Sequence, residues 1–237
     1  NIARPSASAH SRMRSRRDVS TLRYAEQAAA YLGCPGVVVP GNHEYYRGSF
    51  DDERDTLLAA RVAGVTVLDR GEAYYPCDSG SLRILGATLW TDYAVLGNPA
   101  QGMREAAQAI EDQRLITRRG GAPFLPQDAL AEHRLSRAWL AQRLAEPHNG
   151  PTLVVTHHVP HSAARNPTYG TTSLSPAFDS DCDELIAAAA KVHVAAWIFG
   201  HHHWSQKLEV GFGRRVASHL GYPGENTAWE VPGILRI

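Results

Sequence analysis

The segment Gly36-Val37-Val38-Val39-Pro40-Gly41-Asn42-His43-Glu44 decides the fold. Its apolar run followed by a Pro-Gly turn predicts a short buried strand that ends in a polar loop. Before this strand, apolar residues at helical spacing predict a helix from Leu22 to Leu32, closed by Gly33. After the loop, a second helix is predicted at Asp51–Val62 and a second strand at Val65–Leu68. This alternation of helices and strands indicates an α/β architecture.

Two later apolar runs also end in histidines. Thr152–Val155 is followed by Thr156-His157-His158, and Ala195–Phe199 is followed by Gly200-His201-His202-His203. Because both runs are uniformly apolar, they are predicted as central strands buried on both faces. Ligands of open α/β sheets bind beyond the carboxyl ends of the strands, where several loops converge. The three histidine-bearing loops are therefore predicted to lie at one site.

The donor atoms in these loops suit a metal centre. Neutral oxygen and nitrogen ligands of the kind that first-row divalent ions prefer are offered by Asn42, His157, His201 and His203. The i and i+2 spacing allows His201 and His203 to face a pair of ions while His202 points away. His43 stands beside Asn42 as a proton donor. The pattern predicts a dinuclear metal site.

Each loop also has a simpler interpretation. Asn42 could cap a polar turn, and His157 could be a structural residue at a strand end. The triple histidine could be an exposed tract that binds metals adventitiously, although it follows the buried run Ile198-Phe199 rather than a tail. The three loops together favour the metal site over these separate interpretations.

Composition narrows the class of protein. Lys plus Arg and Asp plus Glu are both 24, so no broad basic surface for a nucleic acid partner is predicted. The 12 histidines are concentrated, with seven of them between His157 and His203. The three cysteines are widely spaced and form no Cys-x-x-Cys pair, which disfavours a disulfide framework and a thiolate zinc site. This cysteine usage predicts a reducing, cytoplasmic setting. The sequence contains no run of about 18 apolar residues, so no membrane partner is expected.

The rest of the chain is predicted in outline. Ser81–Trp90 is predicted as a strand region, and Arg104–Thr117 and Ala129–Leu144 are predicted as helices. Loops 92–128 and 159–180 are expected to frame the pocket and to include Arg114, Arg165 and Tyr169. Three runs near the end predict strands of an antiparallel edge: Lys207–Val210, Arg214–Ser218 and Gly233–Ile237.

Three motifs occur in a fixed order: Gly-Asn-His-Glu at 41–44, Thr-His-His-x-Pro at 156–160 and Gly-His-x-His at 200–203. In this order they resemble the calcineurin-like metallophosphoesterases, and the resemblance runs from about Tyr24 to Ile237. It implies an α/β fold of two packed mixed β-sheets flanked by helices. It also implies hydrolysis of a small phosphomonoester or phosphodiester with two divalent metal ions, which could be Mn, Fe, Zn or Co.

The resemblance further implies roles for individual residues. Asn42, His157 and His201 would bind one metal ion, and His203 would bind the other. His43 would stabilise or protonate the oxygen of the leaving group. These assignments give His43 a catalytic role and leave the substrate beyond its phosphoryl group undefined.

The chain departs from the family pattern at its start. Members also carry an upstream Asp-x-His on the first strand and a Gly-Asp-x-x-Asp-like turn on the next, whose aspartate bridges both metals. Residues 1–20 hold neither motif, and the nearest candidate, Asp18, follows Arg17 where glycine is expected. This Arg/Ser-rich segment gives way to family-like sequence near Thr21, which suggests a truncated or frame-shifted sequence.

This departure changes what we expect of the chain. Residues 1–20 are predicted as a disordered or non-native segment and residues 21–237 as the domain. The fold is expected to lack its first strands, leaving edges at Val37–Val39 and Thr152–Val155 unpaired. Without the bridging aspartate, the chain is expected to be an impaired phosphoesterase. The alternative is a non-catalytic ligand- or partner-binding domain with the same fold; an amidohydrolase is disfavoured because those barrels carry His-x-His on an early strand.

Overall fold

The computed structural model describes residues 21–192, 194–209 and 214–217, and side chains as far as residue 205. The helices in these residues are α1 (21–32), α2 (Phe50–Ala59), α3 (Pro99–Ala109), α4 (Asp112–Leu115), α5 (Pro126–Ala145) and α6 (Asp183–Lys191). The strands in the same residues are β1 (Gly36–Val38), β2 (Val65–Val67), β3 (Gly71–Cys77), β4 (Gly80–Ala87), β5 (Thr152–Thr156), β6 (Val194–Phe199), β7 (Gln206–Glu209) and β8 (Arg214–Ala217).

The described strands form two sheets. β1 and β2 pair in parallel as a small sheet, and the other six form a sheet in the order β3-β4-β5-β6-β8-β7. The central strands β4, β5, β6 and β8 of the large sheet are parallel, whereas β3 and β7 pair antiparallel at its two edges. The prediction of an α/β fold with two sheets is confirmed; among the described strands the large sheet is mixed, as expected, whereas the small one is parallel.

The two sheets pack face to face because side chains alternate along each strand. Val37 of β1 and Val39, directly after β1, lie in one apolar cluster with Leu153 and Val155 of β5. Val38, between them, belongs to a different cluster on the opposite face of the small sheet. One face of each sheet is therefore buried against the other sheet.

Helices cover the outer faces. On the large sheet, Val154 of β5 and Trp197 of β6 pack with Leu140 of α5 and Leu185 of α6. On the small sheet, Val38 packs in the cluster that includes the buried side chain of Leu57 from α2. The result is four layers, helix–sheet–sheet–helix, with the apolar core divided between them.

One expectation about sheet edges was wrong. β5 is not an edge strand, because β4 pairs with it in parallel on one side and β6 pairs with it on the other. The residues Gly80–Ala87 thus fill the place that we expected to be empty beside Thr152–Val155. β1 differs, since within the described ranges it pairs with β2 alone.

The region predicted as one helix at Arg104–Thr117 forms two. α3 begins earlier, at Pro99, where the Asn98 side chain caps the first turn. It ends where Ile110 adopts an extended backbone, and α4 follows as a single short turn. This break turns Asp112 into the interior, where it is 4 % exposed.

The sequence analysis did not predict strand β3. Pro76 weakens the strand pattern of β3, but it is tolerated because β3 lies at the edge of the sheet. The helix α6 was also missed. β7 and β8 form the predicted antiparallel edge, whereas Gly233–Ile237 lies outside the described residues.

Helix α5 spans 20 residues and supports the large sheet. Pro126 occupies its first turn, and the backbone N–H of Leu125 donates a hydrogen bond to Asp128 Oδ2 at 2.8 Å. Its buried side includes Leu140 and Leu144. None of the helices in the described ranges is long and apolar enough to cross a membrane.

Candidate metal centre

The loop after β1 is held in a tight turn. Residues Asn42–Tyr45 form a short 3₁₀ helix, and Glu44 Oε2 accepts the backbone N–H of Gly41 at 2.7 Å. Glu44 Oε1 also accepts the Thr21 hydroxyl at 3.1 Å, which ties the turn to helix α1. This arrangement satisfies the backbone donor at the start of the turn and leaves the Asn42 side chain facing inward, 4 % exposed.

His157 follows β5 and lies between two glycines. A Cβ atom placed on Gly41 would come within 2.4 Å of His157 Cε1, which is closer than real side chains allow. A Cβ on Gly200 would lie 3.2 Å from His157 Nδ1. The glycines at the ends of β1 and β6 therefore provide the space in which this imidazole fits.

Three donor atoms meet at this point. His157 Nε2 lies 2.9 Å from Asn42 Oδ1 and 3.2 Å from His201 Nδ1. Two ligands bound about 2.1 Å from one first-row ion lie about 3.0–3.4 Å from each other at octahedral or tetrahedral angles. We call Asn42, His157 and His201 the three-donor cluster. Its spacing fits the first coordination shell of a single divalent ion.

The cluster draws on both sheets. Asn42 comes from the loop after β1 of the small sheet, whereas His157 and His201 follow the neighbouring strands β5 and β6 of the large sheet. Each donor stands just beyond the carboxyl end of its strand, as predicted. The strands concerned belong to two sheets, and the small sheet contributes Asn42 by packing over the large one.

The histidine turn after β6 has an unusual backbone. His201 and His203 have φ angles of 77° and 47°, in the left-handed region that residues other than glycine seldom adopt. His202, between them, is buried, and its Nδ1 accepts the backbone N–H of Asn166 at 3.0 Å. Asn166 Nδ2 also donates to the His202 carbonyl oxygen at 3.1 Å. His202 therefore anchors the turn to the loop at 166.

Asp112 sets the orientation of the Asn42 amide. Asp112 Oδ1 accepts hydrogen bonds from Asn42 Nδ2 and from the Tyr46 hydroxyl, both at 2.7 Å. Because Nδ2 is engaged there, Oδ1 of Asn42 is directed at His157. Burial raises the pKa of the Asp112 carboxyl, and the bonds from Asn42 and Tyr46 oppose this increase. The sequence analysis missed Asp112, which is separated from Asn42 by 70 residues and carries no local motif.

Thr88 joins the loops behind the cluster. Its hydroxyl donates to the carbonyl oxygen of Pro40 at 2.8 Å, and its carbonyl oxygen accepts the backbone N–H of His158 at 3.1 Å. Asp69 Oδ1 accepts the Thr88 backbone N–H at 3.0 Å, and Arg54 pairs with the other carboxylate oxygen of Asp69 at 2.6 Å. This buried network fixes the positions of Gly41 and His157 relative to each other.

Burial favours the neutral form of two imidazoles at the site, those of His201 and His158. Burial lowers the pKa of His201 well below its usual range, and the neighbouring histidines lower it further. Its ring lies 4.4 Å from that of His158 and 5.1 Å from that of Phe178, centroid to centroid. Burial also lowers the pKa of His158 to about 3. A neutral ring retains the lone pair that a metal ligand needs.

A cavity of about 550 Å³ opens beside the cluster. His43 and His203 line it together with Asn42 and His201, so the sequence-predicted residues are brought to one place, with His157 behind them. Arg165 and Tyr169 also line it, as expected, whereas Arg114 pairs with Glu111 instead.

The described residues do not complete a second metal site. Among them, no group of three or more His, Cys, Asp or Glu side chains is arranged to hold an ion. The three-donor cluster differs from such a group because it has only two histidines, and its third donor is the amide oxygen of Asn42. Asn42, His157 and His201 thus fit one ion, and the assignment of His203 to a second ion remains a prediction.

The chain combines a four-layer fold with histidine loops at the ends of its strands. The chain belongs to the calcineurin-like phosphoesterase family, whose model matches residues 11–205. This match includes residues 11–20, so the proposed domain boundary at residue 21 remains a prediction.

Individual relatives are distant. An uncharacterised protein of Acanthamoeba polyphaga mimivirus is 22 % identical over 201 residues, which cover 79 % of this chain and 68 % of the relative. The crystal structure of phosphopantetheinyl hydrolase from Mycobacterium tuberculosis superposes with a TM-score of 0.59 at 19 % identity, over 83 % of this chain and 78 % of that one. A putative 5'-nucleotidase from Staphylococcus aureus gives a TM-score of 0.44 at 15 % identity, over 83 % of this chain and 37 % of that one. The likeness to the hydrolase supports the fold.

Proposed function

We propose that this chain is a metal-dependent phosphoesterase that acts on a small phosphomonoester or phosphodiester. The observation that carries the proposal is the spacing of 2.9 Å and 3.2 Å around His157 Nε2, which matches neighbouring ligands of one ion. Family membership supports the same class of reaction. In this proposal, Asn42, His157 and His201 hold one divalent cation and His203 contributes to a second.

The cations would supply Lewis-acid stabilisation of the phosphoryl oxygens. The chain's own residues would bind the phosphoryl group and protonate the leaving group. The exposed ring of His43 lies 4.5 Å from that of Tyr46 at the cavity, where it can deliver a proton to the leaving-group oxygen. Arg165 is held by Asp179 at 2.8 Å and by Thr171 at 2.7 Å, so its guanidinium is placed to bind a phosphate oxygen.

The proposal includes a weakness of the site. The three-donor cluster is neutral, and among the described residues no cluster of acidic side chains supplies the anionic ligand that would offset the repulsion of two cations held close together. We therefore expect weak metal binding and slow hydrolysis, with Mn, Fe, Zn and Co all suited to these donors. A cytoplasmic location is part of the same proposal and is based on the small number of widely spaced cysteines.

Calorimetric titration of the chain with Co²⁺ and Mn²⁺, together with hydrolysis of bis-p-nitrophenyl phosphate and p-nitrophenyl phosphate, tests the proposal. We expect at least one cation per chain and hydrolysis that depends on it. His148→Ala is a matched control, because His148 bonds to the carbonyl oxygen of Ser81 away from the cavity. Cation binding without any turnover would favour the non-catalytic alternative. Absence of cation binding would contradict the proposed metal site.

A further inference from the structure

The lining of the cavity beside the cluster divides into two unlike parts. On the side of the cluster lie the amide and imidazole groups of Asn42, His43 and the 201–203 turn, together with Arg165. The rest of the lining comes from residues 109–112 and 166–178, and we call it the distal wall. Its apolar and aromatic members are Ala109, Ile110, Tyr169, Leu174 and Phe178.

Polar side chains of the distal wall are engaged within the chain. Asp112 accepts from Asn42 and Tyr46, and Asn166 Oδ1 accepts the backbone N–H of Thr168 at 2.9 Å. Ser175 Oγ accepts the backbone N–H of Thr172 at 2.9 Å, and Thr172 Oγ1 accepts that of Leu174 at 3.3 Å. These bonds stabilise the loop, and each occupies part of the hydrogen-bonding capacity that a sugar or other polyhydroxylated group would need.

The apolar members are accessible from the cavity. Ile110, Leu174 and Phe178 are half-buried, and Tyr169 is 60 % exposed. They come from two separate stretches of the chain, the end of α3 and the loop before α6. A ligand in the cavity would therefore have apolar surface on more than one side.

We infer that the substrate is a phosphoester of an apolar or aromatic alcohol rather than of a sugar or nucleoside. This inference rests on the proposed function, because the phosphoryl group is assigned to the side with Asn42 and the histidines. The alcohol portion then lies against the distal wall. Burying its methylene or aryl groups there is favourable, whereas burying hydroxyl groups without free partners is costly.

Binding of phosphonates that cannot be hydrolysed tests this inference. The probes are methylphosphonate, hexylphosphonate and a hexitol phosphonate with the same six-carbon chain, titrated calorimetrically into the chain with Co²⁺ present. Each buried methylene strengthens binding about fourfold, so two buried methylenes give more than about tenfold. We expect hexylphosphonate to bind at least about tenfold tighter than methylphosphonate. The hexitol phosphonate should bind at most about threefold tighter than methylphosphonate.

Variants of the distal wall locate the effect. Leu174→Asp should remove most of the difference between hexylphosphonate and methylphosphonate. Ile110→Asn, from the other stretch, should reduce it even if Leu174→Asp fails to fold. Leu135→Asp is the matched control, because Leu135 is 54 % exposed on α5 and lies outside the cavity lining. It should leave the difference unchanged.

A second probe separates this inference from the proposed function. If the phosphonates do not bind but 1-hexanol binds in a manner that Leu174→Asp abolishes, the apolar wall stands and the phosphoesterase assignment fails. Equal affinity for methyl- and hexylphosphonate overturns the inference and leaves the phosphoesterase assignment intact. Tighter binding of the hexitol phosphonate than of hexylphosphonate overturns it as well, as does a folded chain that binds none of the probes.

Discussion

The three-donor cluster and the two histidines on its cavity side, His43 and His203, differ in how firmly neighbouring residues hold their side chains. Asn42 is 4 % exposed and oriented by Asp112, and His157 is enclosed by Gly41 and Gly200. His43, in contrast, is exposed, and His203 is partly exposed at the cavity. Preorganised donors bind a cation without the cost of ordering them, whereas exposed side chains must be ordered on binding. From this difference we expect the described part of the chain to bind one cation more tightly than a second.

This comparison predicts a graded loss of cation affinity. Substitutions inside the cluster should reduce it most, those in the supporting residues less, and that of His43 least. Affinity for Co²⁺ is the common measurement, made by calorimetry on chains whose folding is checked by circular dichroism.

The largest effect is expected for His157→Ala. It removes the donor that lies between the other two, at 2.9 Å from Asn42 Oδ1 and 3.2 Å from His201 Nδ1. Affinity should fall by more than about 100-fold, since loss of a direct ligand should exceed the 10–100-fold typical of supporting residues. His148→Ala should bind as the parent chain does. If His157→Ala retained the parent affinity, the metal would have to bind elsewhere.

Gly41→Ala should come next. The added methyl group would collide with His157 Cε1 at 2.4 Å and displace the imidazole. The backbone of Gly41 is extended, with φ −98° and ψ −176°, so alanine is acceptable there and the effect is steric. We expect a loss of about 1–3 kcal/mol in the free energy of unfolding and up to about 100-fold in affinity.

Gly36→Ala is the control for this change. A Cβ on Gly36, at the start of the strand that precedes the Gly41 loop, would meet ordinary contacts of 3.7 Å and beyond. Urea denaturation should show little change for Gly36→Ala. Equal destabilisation of the two variants would mean that the strand, and not the histidine, is sensitive to the methyl group.

Asp112 should have a smaller effect that depends on the substituent. Asp112→Leu removes the acceptor of Asn42 Nδ2, so the amide can rotate and affinity should fall by about tenfold or more. Asp112→Asn keeps an oxygen that can accept the same bond and should lose less. A ¹⁵N spectrum of the metal-free chain reports on the Asn42 side-chain amide directly: its signals should move in Asp112→Leu. Unchanged signals would contradict the orienting role.

The convergence of the histidine loops was predicted from the apolar runs that precede them, and two packed sheets flanked by helices were implied by the family resemblance. In the structure, successive side chains of Val37–Val39 lie on opposite faces of the small sheet, as those of Leu153–Val155 do on the large one, which divides the core between the layers. The donors could be predicted because each follows directly after an apolar strand. In such a fold, a residue that directly follows a strand in the sequence lies near the site.

The supporting residues could not be predicted in this way. Asp112 reaches Asn42 only because α3 ends at Ile110 and a separate short helix follows, and the pattern at Arg104–Thr117 favoured one continuous helix. The place of β4 beside β5 likewise depends on a pairing between segments far apart in the chain. Periodicity reports on local structure, whereas these features depend on tertiary contacts.

His43→Ala should change cation affinity least. His43 is exposed at the cavity, and its ring contacts Tyr46 rather than the donors of the cluster. We expect the Co²⁺ affinity to stay within about twofold, because no ligand in our assignment is removed. Turnover of bis-p-nitrophenyl phosphate should nevertheless fall by about 10²–10⁴-fold, the usual contribution of a general acid, and p-nitrophenol is a good enough leaving group to keep the loss near the lower end. A substrate with a poorer leaving group should show a larger loss, since it depends more on protonation. If the cation affinity fell together with turnover, His43 would be a ligand, and the contrast between the cluster and its cavity side would have to be abandoned.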